Sequence, residues 1–139
     1  MNLKNNRSGF TLLEIIIVII IVGVLASLAL PRFFSTVEFS RSTEALTSIT
    51  AVRQAMERCY LQRNGTYVNC ALVNLDIENP GTAPNAHFTY SLAGQSATGY
   101  VITSTRNAID GGDGTSTIAL TQSATTVTRA GTGKFVGIQ

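Results

Sequence analysis

The 139-residue chain has few charged residues and very little histidine, cysteine or tryptophan. Charged side chains make up 13% of it, about half of the roughly 25% typical of soluble domains. The net charge of +2 is too small for a strongly basic nucleic-acid binder. One His, two Cys and no Trp leave little material for a metal cluster, and no spacing marks a catalytic triad. We therefore predict no metal, no cofactor and no enzymatic activity.

The charges are missing mainly from one N-terminal stretch. The 21 residues from Phe10 to Leu30 contain a single charged residue, Glu14. A helix of that length rises about 30 Å, which is enough to cross the hydrocarbon core of a bilayer. Lys4 and Arg7 precede it without any acid, and such a positive flank orients insertion with the N-terminus in the cytoplasm.

Two ordinary interpretations of this stretch leave one residue unexplained. A secretory signal peptide has a shorter apolar run, and Ala26 and Ala29 are wrongly spaced for its cleavage site. A simple membrane anchor for a small extracytoplasmic domain fits the length. Neither explains Glu14, because an ionised carboxylate near an apolar membrane core costs about a few kcal/mol.

The string Gly9-Phe10-Thr11-Leu12-Leu13-Glu14, followed by the apolar run and Pro31, resembles the N-terminus of type IV pilins with a class III prepilin leader. The resemblance covers roughly the first 35 residues. It implies that residues 1–9 are a leader that prepilin peptidase removes between Gly9 and Phe10. It also implies that the new amine of Phe10 is methylated by the N-methyltransferase activity, and that Glu14 aids docking during assembly.

The resemblance further implies a structural role. The chain would be a subunit of a type IV pilus, stored in the inner membrane among lipids and polymerised with copies of itself by the pilus assembly machinery into an extracellular filament. The alternatives are a pseudopilin of a type II secretion system and, in another class, a monomeric membrane-anchored binding domain. We predict no specific nucleic-acid partner, and the sequence leaves adhesion, twitching motility, DNA uptake and conduction open.

Beyond Pro31 the apolar pattern becomes amphipathic. Apolar residues recur at helical spacing from Ala45 to Tyr60, and Arg53 and Glu57 are spaced to form an ion pair on the polar side. Asn64-Gly65 is a typical helix stop. A helix from Phe10 to Arg63 would extend about 80 Å, which is too long for a compact domain of this size.

Gly23 and Pro31 are predicted weak points of this helix. Pro31 removes a backbone hydrogen bond and crowds the carbonyl of Ser27, and Gly23 costs about 1 kcal/mol relative to Ala. One interpretation is a mild kink without a role. The resemblance to pilins favours a segment that bends or partly unwinds when subunits pack.

The remaining sequence predicts a loop-rich passage and then an antiparallel meander. The predicted strands are His87–Leu92, Gly99–Thr105, Thr117–Gln122 and, more weakly, Phe135–Ile138. The fold class is α+β, with a helix over residues 10–34 for the membrane and the filament core, and a globular domain over 35–139 that comprises the amphipathic helix half and the sheet.

Cys59 and Cys70 are the only cysteines. The turn at Asn64-Gly65 lets the chain fold back to join them, and export places them where disulfides persist. Two buried free thiols are the alternative. A metal pair is disfavoured, because the lone His87, expected to be an ordinary strand residue, cannot complete a site.

Two short motifs have competing interpretations. Asp110–Gly114 is typical of a hairpin loop, although its two aspartates could supply part of a Ca²⁺ shell, and the related type II pseudopilins bind calcium near their C-terminal loops. Asn64-Gly65-Thr66 fits a glycosylation sequon, but a helix stop explains it fully.

Overall fold

The computed structural model of the chain describes residues 9–138, so residues 1–8 of the predicted leader, with Lys4 and Arg7, lie outside the described residues. The chain divides into two units, the first ending at Thr36 and the second beginning at Val37. Within the described range the elements are one long helix α1 (Leu12–Gln62), four strands β1 (Phe88–Ala93), β2 (Tyr100–Arg106), β3 (Thr117–Gln122) and β4 (Val127–Gly131), and the short 3₁₀ helices Leu72–Asn74, Pro80–Thr82 and Gly133–Phe135. The predicted α+β class is confirmed.

In the second unit, α1 buries one stripe against the sheet. Helical spacing places these buried side chains on one face. They are Glu38, Ser42, Ala45, Ile49, Val52, Ala55, Met56 and Cys59. The stripe begins at Glu38, seven positions before the first residue that the apolar pattern identified. Its first two members are polar, which is why hydrophobic periodicity missed them.

The helix stops where the sequence predicted. Asn64 and Gly65 adopt positive φ values of 56° and 81°, and the Gly65 N–H donates a hydrogen bond to the Tyr60 carbonyl at 3.0 Å. Glycine adopts this left-handed conformation without strain. The chain therefore turns back immediately after α1.

The four strands form one antiparallel sheet in the order β1-β2-β3-β4. Alternation along β2 turns Tyr100, Ile102, Ser104 and Arg106 inward. The inward residues of β1 to β3 join the helix stripe in one core. Loop residues 107–116 connect β2 to β3, so the predicted hairpin loop at Asp110–Gly114 is confirmed.

The prediction of a strand at Phe135–Ile138 was wrong. The fourth strand is Val127–Gly131, and Phe135 instead ends the 3₁₀ helix Gly133–Phe135. Gly133 and Gly137 have φ values of 60° and 98°, which interrupt an extended backbone. Phe135 and Ile138 are both buried at a spacing of three, which is the spacing of a turn and not of a strand.

The predicted ion pair between Arg53 and Glu57 is absent among the described residues. Both carboxylate oxygens of Glu57 instead accept the hydroxyl of Tyr67 at 3.1 Å. His87 also departs from its prediction, because it lies one residue before β1 and contacts two carboxylates.

Candidate functional site

The predicted processing residues Gly9 and Phe10 lie just before α1, and the predicted docking residue Glu14 lies in its first turn. The N–H of Glu14 donates to the Thr11 hydroxyl at 3.3 Å and to the Thr11 carbonyl at 3.1 Å. Thr11 therefore caps the helix, and Glu14 occupies the position of a capping-box acid, where the helix dipole favours negative charge. The T-x-x-E spacing could have identified Thr11 from the sequence.

The carboxylate of Glu14 has no ion-pair partner within residues 9–138. Phe10 is 79% exposed and Glu14 is also exposed, so both side chains are open to a partner outside the chain. No hydrogen bond links Phe10 and Glu14 within residues 9–138. Their roles in cleavage, methylation and docking remain predictions.

The first unit exposes an apolar surface on all sides. Seventeen large apolar side chains between Phe10 and Phe34 are exposed in the isolated chain, and the helix has an apolar window with a mean hydropathy of 3.0. Covering each such side chain stabilises by about 1.5–3 kcal/mol. This segment is long and apolar enough to cross a membrane, and lipid or neighbouring apolar helices can cover it.

The two predicted weak points lie inside a continuous helix. Pro31 is an interior residue of α1, and a side chain at Gly23 would meet no atom within 4 Å. The Ser27 hydroxyl donates to the Val24 carbonyl at 2.7 Å, next to the backbone group that Pro31 leaves unpaired. Bending or unwinding of this stretch stays a prediction.

A disulfide between Cys59 and Cys70 fixes the far end of α1, with the two Cα atoms 6.1 Å apart. The predicted pairing is confirmed. Three tyrosines line up beside it: the Tyr67 ring centroid lies 4.6 Å from that of Tyr60 and 4.7 Å from that of Tyr100. Burial, with the hydrogen bond to Glu57, raises the pKa of Tyr67 to about 12.

Arg106 at the end of β2 is fully buried. Its Nε and Nη2 donate to the two carboxylate oxygens of Glu38 at 3.0 and 3.1 Å, and its Nη1 donates to the carbonyls of His87 and Asn107 at 3.1 and 3.0 Å. The hydrogen bond from Arg106 lowers the pKa of Glu38. One buried cation therefore joins the helix, the chain before β1 and the β2–β3 loop.

Polar contacts hold the β2–β3 loop around this cation. His87 Nδ1 lies 2.8 Å from Glu44 Oε2, and His87 Nε2 lies 3.2 Å from Asp110 Oδ2. A neutral imidazole carries one N–H and can donate to one of these acids, whereas the imidazolium donates to both. Arg41 donates to the Asp110 carbonyl at 2.7 Å. A Cβ at Gly112 would collide with the Asn107 carbonyl, so the loop requires glycine there.

The hydrogen bonds of Asp113 argue against calcium binding by Asp110–Gly114. Asp113 Oδ1 accepts the backbone N–H groups of Thr115 and Ser116 at 3.0 and 2.9 Å, and Oδ2 accepts the Ser116 hydroxyl. The Ser116 hydroxyl and these N–H groups hold the pKa of Asp113 well below its usual range. The described residues contain no group of three or more His, Cys, Asp or Glu side chains that could hold a metal ion.

Comparison with known families gives two matches that together cover most of the chain. The family model described as "Type IV minor pilin ComP, DNA uptake sequence receptor" matches residues 31–119. The "Prokaryotic N-terminal methylation motif" matches residues 4–30. The first match extends over more than half of the chain.

Characterised relatives match over shorter stretches. "Type II secretion system core protein G" of Aeromonas hydrophila is 39% identical over 61 residues, which cover 44% of this chain and 43% of that protein. "Type IV major fimbrial protein FimA" of Dichelobacter nodosus is 34% identical over 59 residues, 42% of this chain and 38% of that protein. "Fimbrial protein EcpC" of Eikenella corrodens is 33% identical over 88 residues, 52% of this chain and 58% of that protein. The chain thus spans less than two thirds of each of these relatives, and no solved structure matches it significantly.

Proposed function

The chain belongs to the family described as type IV minor pilin ComP, DNA uptake sequence receptor, and we propose that it is a structural subunit of a type IV pilus. In this proposal residues 1–9 are removed between Gly9 and Phe10, and the Phe10 amine is methylated. Residues 10–34 anchor the subunit in the inner membrane and then form the filament core. Residues 35–139 form the globular pilin domain, which faces outward on the cell surface.

The exposed apolar first unit is the observation that carries this proposal. Seventeen exposed apolar side chains require a cover, and a bilayer followed by neighbouring copies of the same helix provides one in sequence. The N-terminal methylation motif over residues 4–30 supports processing by the prepilin peptidase and N-methyltransferase. Relatives of the chain are named as pilus subunits and as secretion subunits.

Glu14 is proposed to guide docking of an incoming subunit. An unpaired charge among aliphatic side chains costs several kcal/mol, and Glu14 has no partner within residues 9–138. The positive amine of a processed Phe10 on a neighbouring subunit is a suitable partner. Pairing would fix the axial position of one helix against the next.

Replacement of Glu14 in cells lacking the wild-type subunit tests this function. Glu14→Val should leave processing and membrane insertion intact, because it removes the charge from the span, while filaments disappear from the surface. Glu14→Asp is the matched control, since it keeps the charge and should retain part of the yield. Normal filament yield from Glu14→Val would refute the docking role.

A pseudopilin of a type II secretion system is the second candidate, supported by the relatives of that name. The two candidates share processing and helix packing and differ in product. Surface filaments that contain this chain favour the pilus, whereas loss of protein export on deletion, with no surface filaments, favours secretion.

A role as a receptor for DNA is suggested by the description of the family. DNA affinity depends mainly on cations that neutralise phosphates, and residues 37–139 contain seven Lys and Arg against seven Asp and Glu. This balance supports the structural role over a DNA-binding one. Binding of duplex DNA by assembled filaments, with a steep salt dependence, would establish DNA reception for this chain.

A further inference from the structure

Most charged side chains of the second unit are engaged within it, and three exposed ones are not. Arg58 donates to Asp76 at 2.6 and 2.8 Å, and Arg106 donates to Glu38. The residues Arg63, Arg129 and Glu78 are exposed and form no salt bridge or side-chain hydrogen bond within residues 37–138. Arg53 is only half-buried, and its Nε also has no partner there. Arg129 and Glu78 lie near opposite edges of the sheet.

Arg129 lies on β4, at one edge of the sheet. It pairs in register with the inward residue Leu120, so its side chain points to the helix side of the sheet. There it lines a groove of about 500 Å³, which we call the β4 groove. The groove is lined by Thr43, Leu46, Thr47, Thr50, Ala51, Gln54 and Arg129.

The polar groups of the β4 groove differ in their hydrogen-bonding roles. The hydroxyls of Thr47 and Thr50 donate to the helix carbonyls of Thr43 and Leu46, both at 2.8 Å, so they face the groove as acceptors. Arg129 is therefore the one cationic donor that lines the groove. The groove suits a segment that presents one unpaired carboxylate.

The backbone beside this groove is also available. The Thr132 N–H donates to the Thr117 carbonyl, and the Ser123 N–H donates to the Thr126 carbonyl. In an antiparallel ladder these bonds alternate, so the amides of Val127, Arg129 and Gly131 point away from β3 at the free edge. A free edge of this kind accepts another chain segment readily.

The opposite edge is different. The 3₁₀ helix Pro80–Thr82 lies against β1, so closely that a Cβ at Gly81 would be 3.2 Å from Thr89 Cα. Glu78 lies two residues before Pro80 and is exposed, in a stretch whose next residue, Asn79, is extended. The unpaired acid is therefore carried by the chain that covers β1.

We propose that the β4 groove of one subunit binds the Leu75–Asn79 segment of a second copy of this chain at its exposed acid, with Arg129 paired to Glu78 across the contact. Leu75 and Ile77 stay packed on the core of their own subunit, and Asp76 stays paired with Arg58. Because the two surfaces lie at opposite edges of the sheet, a subunit can bind one neighbour through its β4 groove and another neighbour through Glu78. Such a head-to-tail contact propagates along a filament and does not close into a dimer. A symmetric contact between two β4 edges would instead bring two copies of Arg129 together, and like charges disfavour it.

This inference rests on the proposed pilus function and adds the contact between globular domains. A single cation in the groove matches one carboxylate, whereas a DNA duplex presents a regular row of phosphates. A second copy of the chain carries the complementary acid, so the subunit itself is the favoured occupant.

Charge reversal in the full-length chain, expressed in cells lacking the wild-type subunit, tests the contact. Arg129→Glu and Glu78→Arg should each reduce the filament yield about tenfold, because each places like charges together. The double variant restores an opposite pair and should recover most of the yield. Arg63→Glu, at an exposed and unpaired arginine outside the groove, is the matched control and should leave the yield unchanged.

Two further measurements distinguish a lost contact between subunits from a loss of folding. Each variant should reach the membrane as processed subunit at the wild-type level, which separates a lost contact from a lost fold. With cysteines at both positions, the chain should form oligomers linked through residues 129 and 78 in filaments but not in strains that lack the assembly machinery.

Normal filaments from both single variants, or a double variant no better than either single one, would overturn the contact while the pilus function stands. Normal filaments from Arg129→Glu that no longer retain DNA would also overturn it and assign the groove to nucleic acid. Absence of filaments from the wild-type chain would instead remove the proposed function itself.

Discussion

Arg106 and Glu38 form a buried, two-pronged ion pair between residues 68 positions apart in the sequence. Glu38 lies on α1 just after the start of the second unit, and Arg106 ends β2. A bidentate pair fixes orientation as well as distance. The pair therefore sets how the globular part of α1 meets the sheet.

Removal of one partner should be strongly destabilising. Arg106→Met leaves the buried Glu38 carboxylate with only the 3.3 Å contact to Arg41 and should lower the free energy of unfolding by up to about 3–5 kcal/mol. Urea titration of the detergent-solubilised mature chain measures this, followed by near-ultraviolet circular dichroism of the tyrosine cluster. The double variant Glu38→Leu/Arg106→Met should recover much of the loss, and a double variant less stable than Arg106→Met would contradict the explanation.

The same pair predicts an acid transition. Arg106 lowers the pKa of Glu38 below its ordinary value of 4.5, so the folded state disfavours the protonated acid. The resulting stabilisation is complete above that value and is lost as the pH falls through the lower folded pKa. Urea midpoints measured from pH 6 downward should therefore fall less steeply in Glu38→Gln than in wild type. Equal slopes would remove Glu38 from the acid response.

Loss of the disulfide should weaken the second unit. Cys59 and Cys70 are 11 positions apart, and a bridge that closes such a short loop contributes about 3 kcal/mol in the chain-entropy model. Cys59→Ser should lower the melting temperature, and the native chain should show no reactive thiol until it is reduced. Rapid labelling of both cysteines in the unreduced chain would contradict this.

Calcium should not stabilise the β2–β3 loop. The Asp113 carboxylate already accepts three hydrogen bonds, and Arg41 donates to the Asp110 carbonyl, which leaves few free oxygens for a cation that prefers six to eight. Addition of millimolar Ca²⁺ should leave the melting temperature unchanged, with Mg²⁺ as the ionic-strength control. A rise specific to Ca²⁺ would restore the calcium interpretation and favour the secretion pseudopilin.

The sequence predicted those parts of the molecule whose cause is local. Apolar patterning identified α1, and the helix-stop pair Asn64-Gly65 marked its end. Runs of β-branched residues located β1 to β3. The strand Val127–Gly131 was missed because it carries one large apolar residue and no alternation. It exists through its pairing with β3.

Long-range polar contacts could not be predicted from the sequence either. Glu38 and Arg106 are separated by 68 positions, and a charged residue in a helix pattern reads as solvent-facing. Period-two alternation from Tyr100 could have placed Arg106 on the inward face, although it gives no partner. Glu14 was identified only because a charge within an apolar run is conspicuous.

The intact mass of this chain in sheared, purified filaments tests the central claim most directly. The pilus account predicts that the filaments contain a chain that begins at Phe10, carries one added methyl group and keeps the Cys59–Cys70 bond. A chain that begins at Met1 or after Ala29, or purified filaments without this chain, would contradict it.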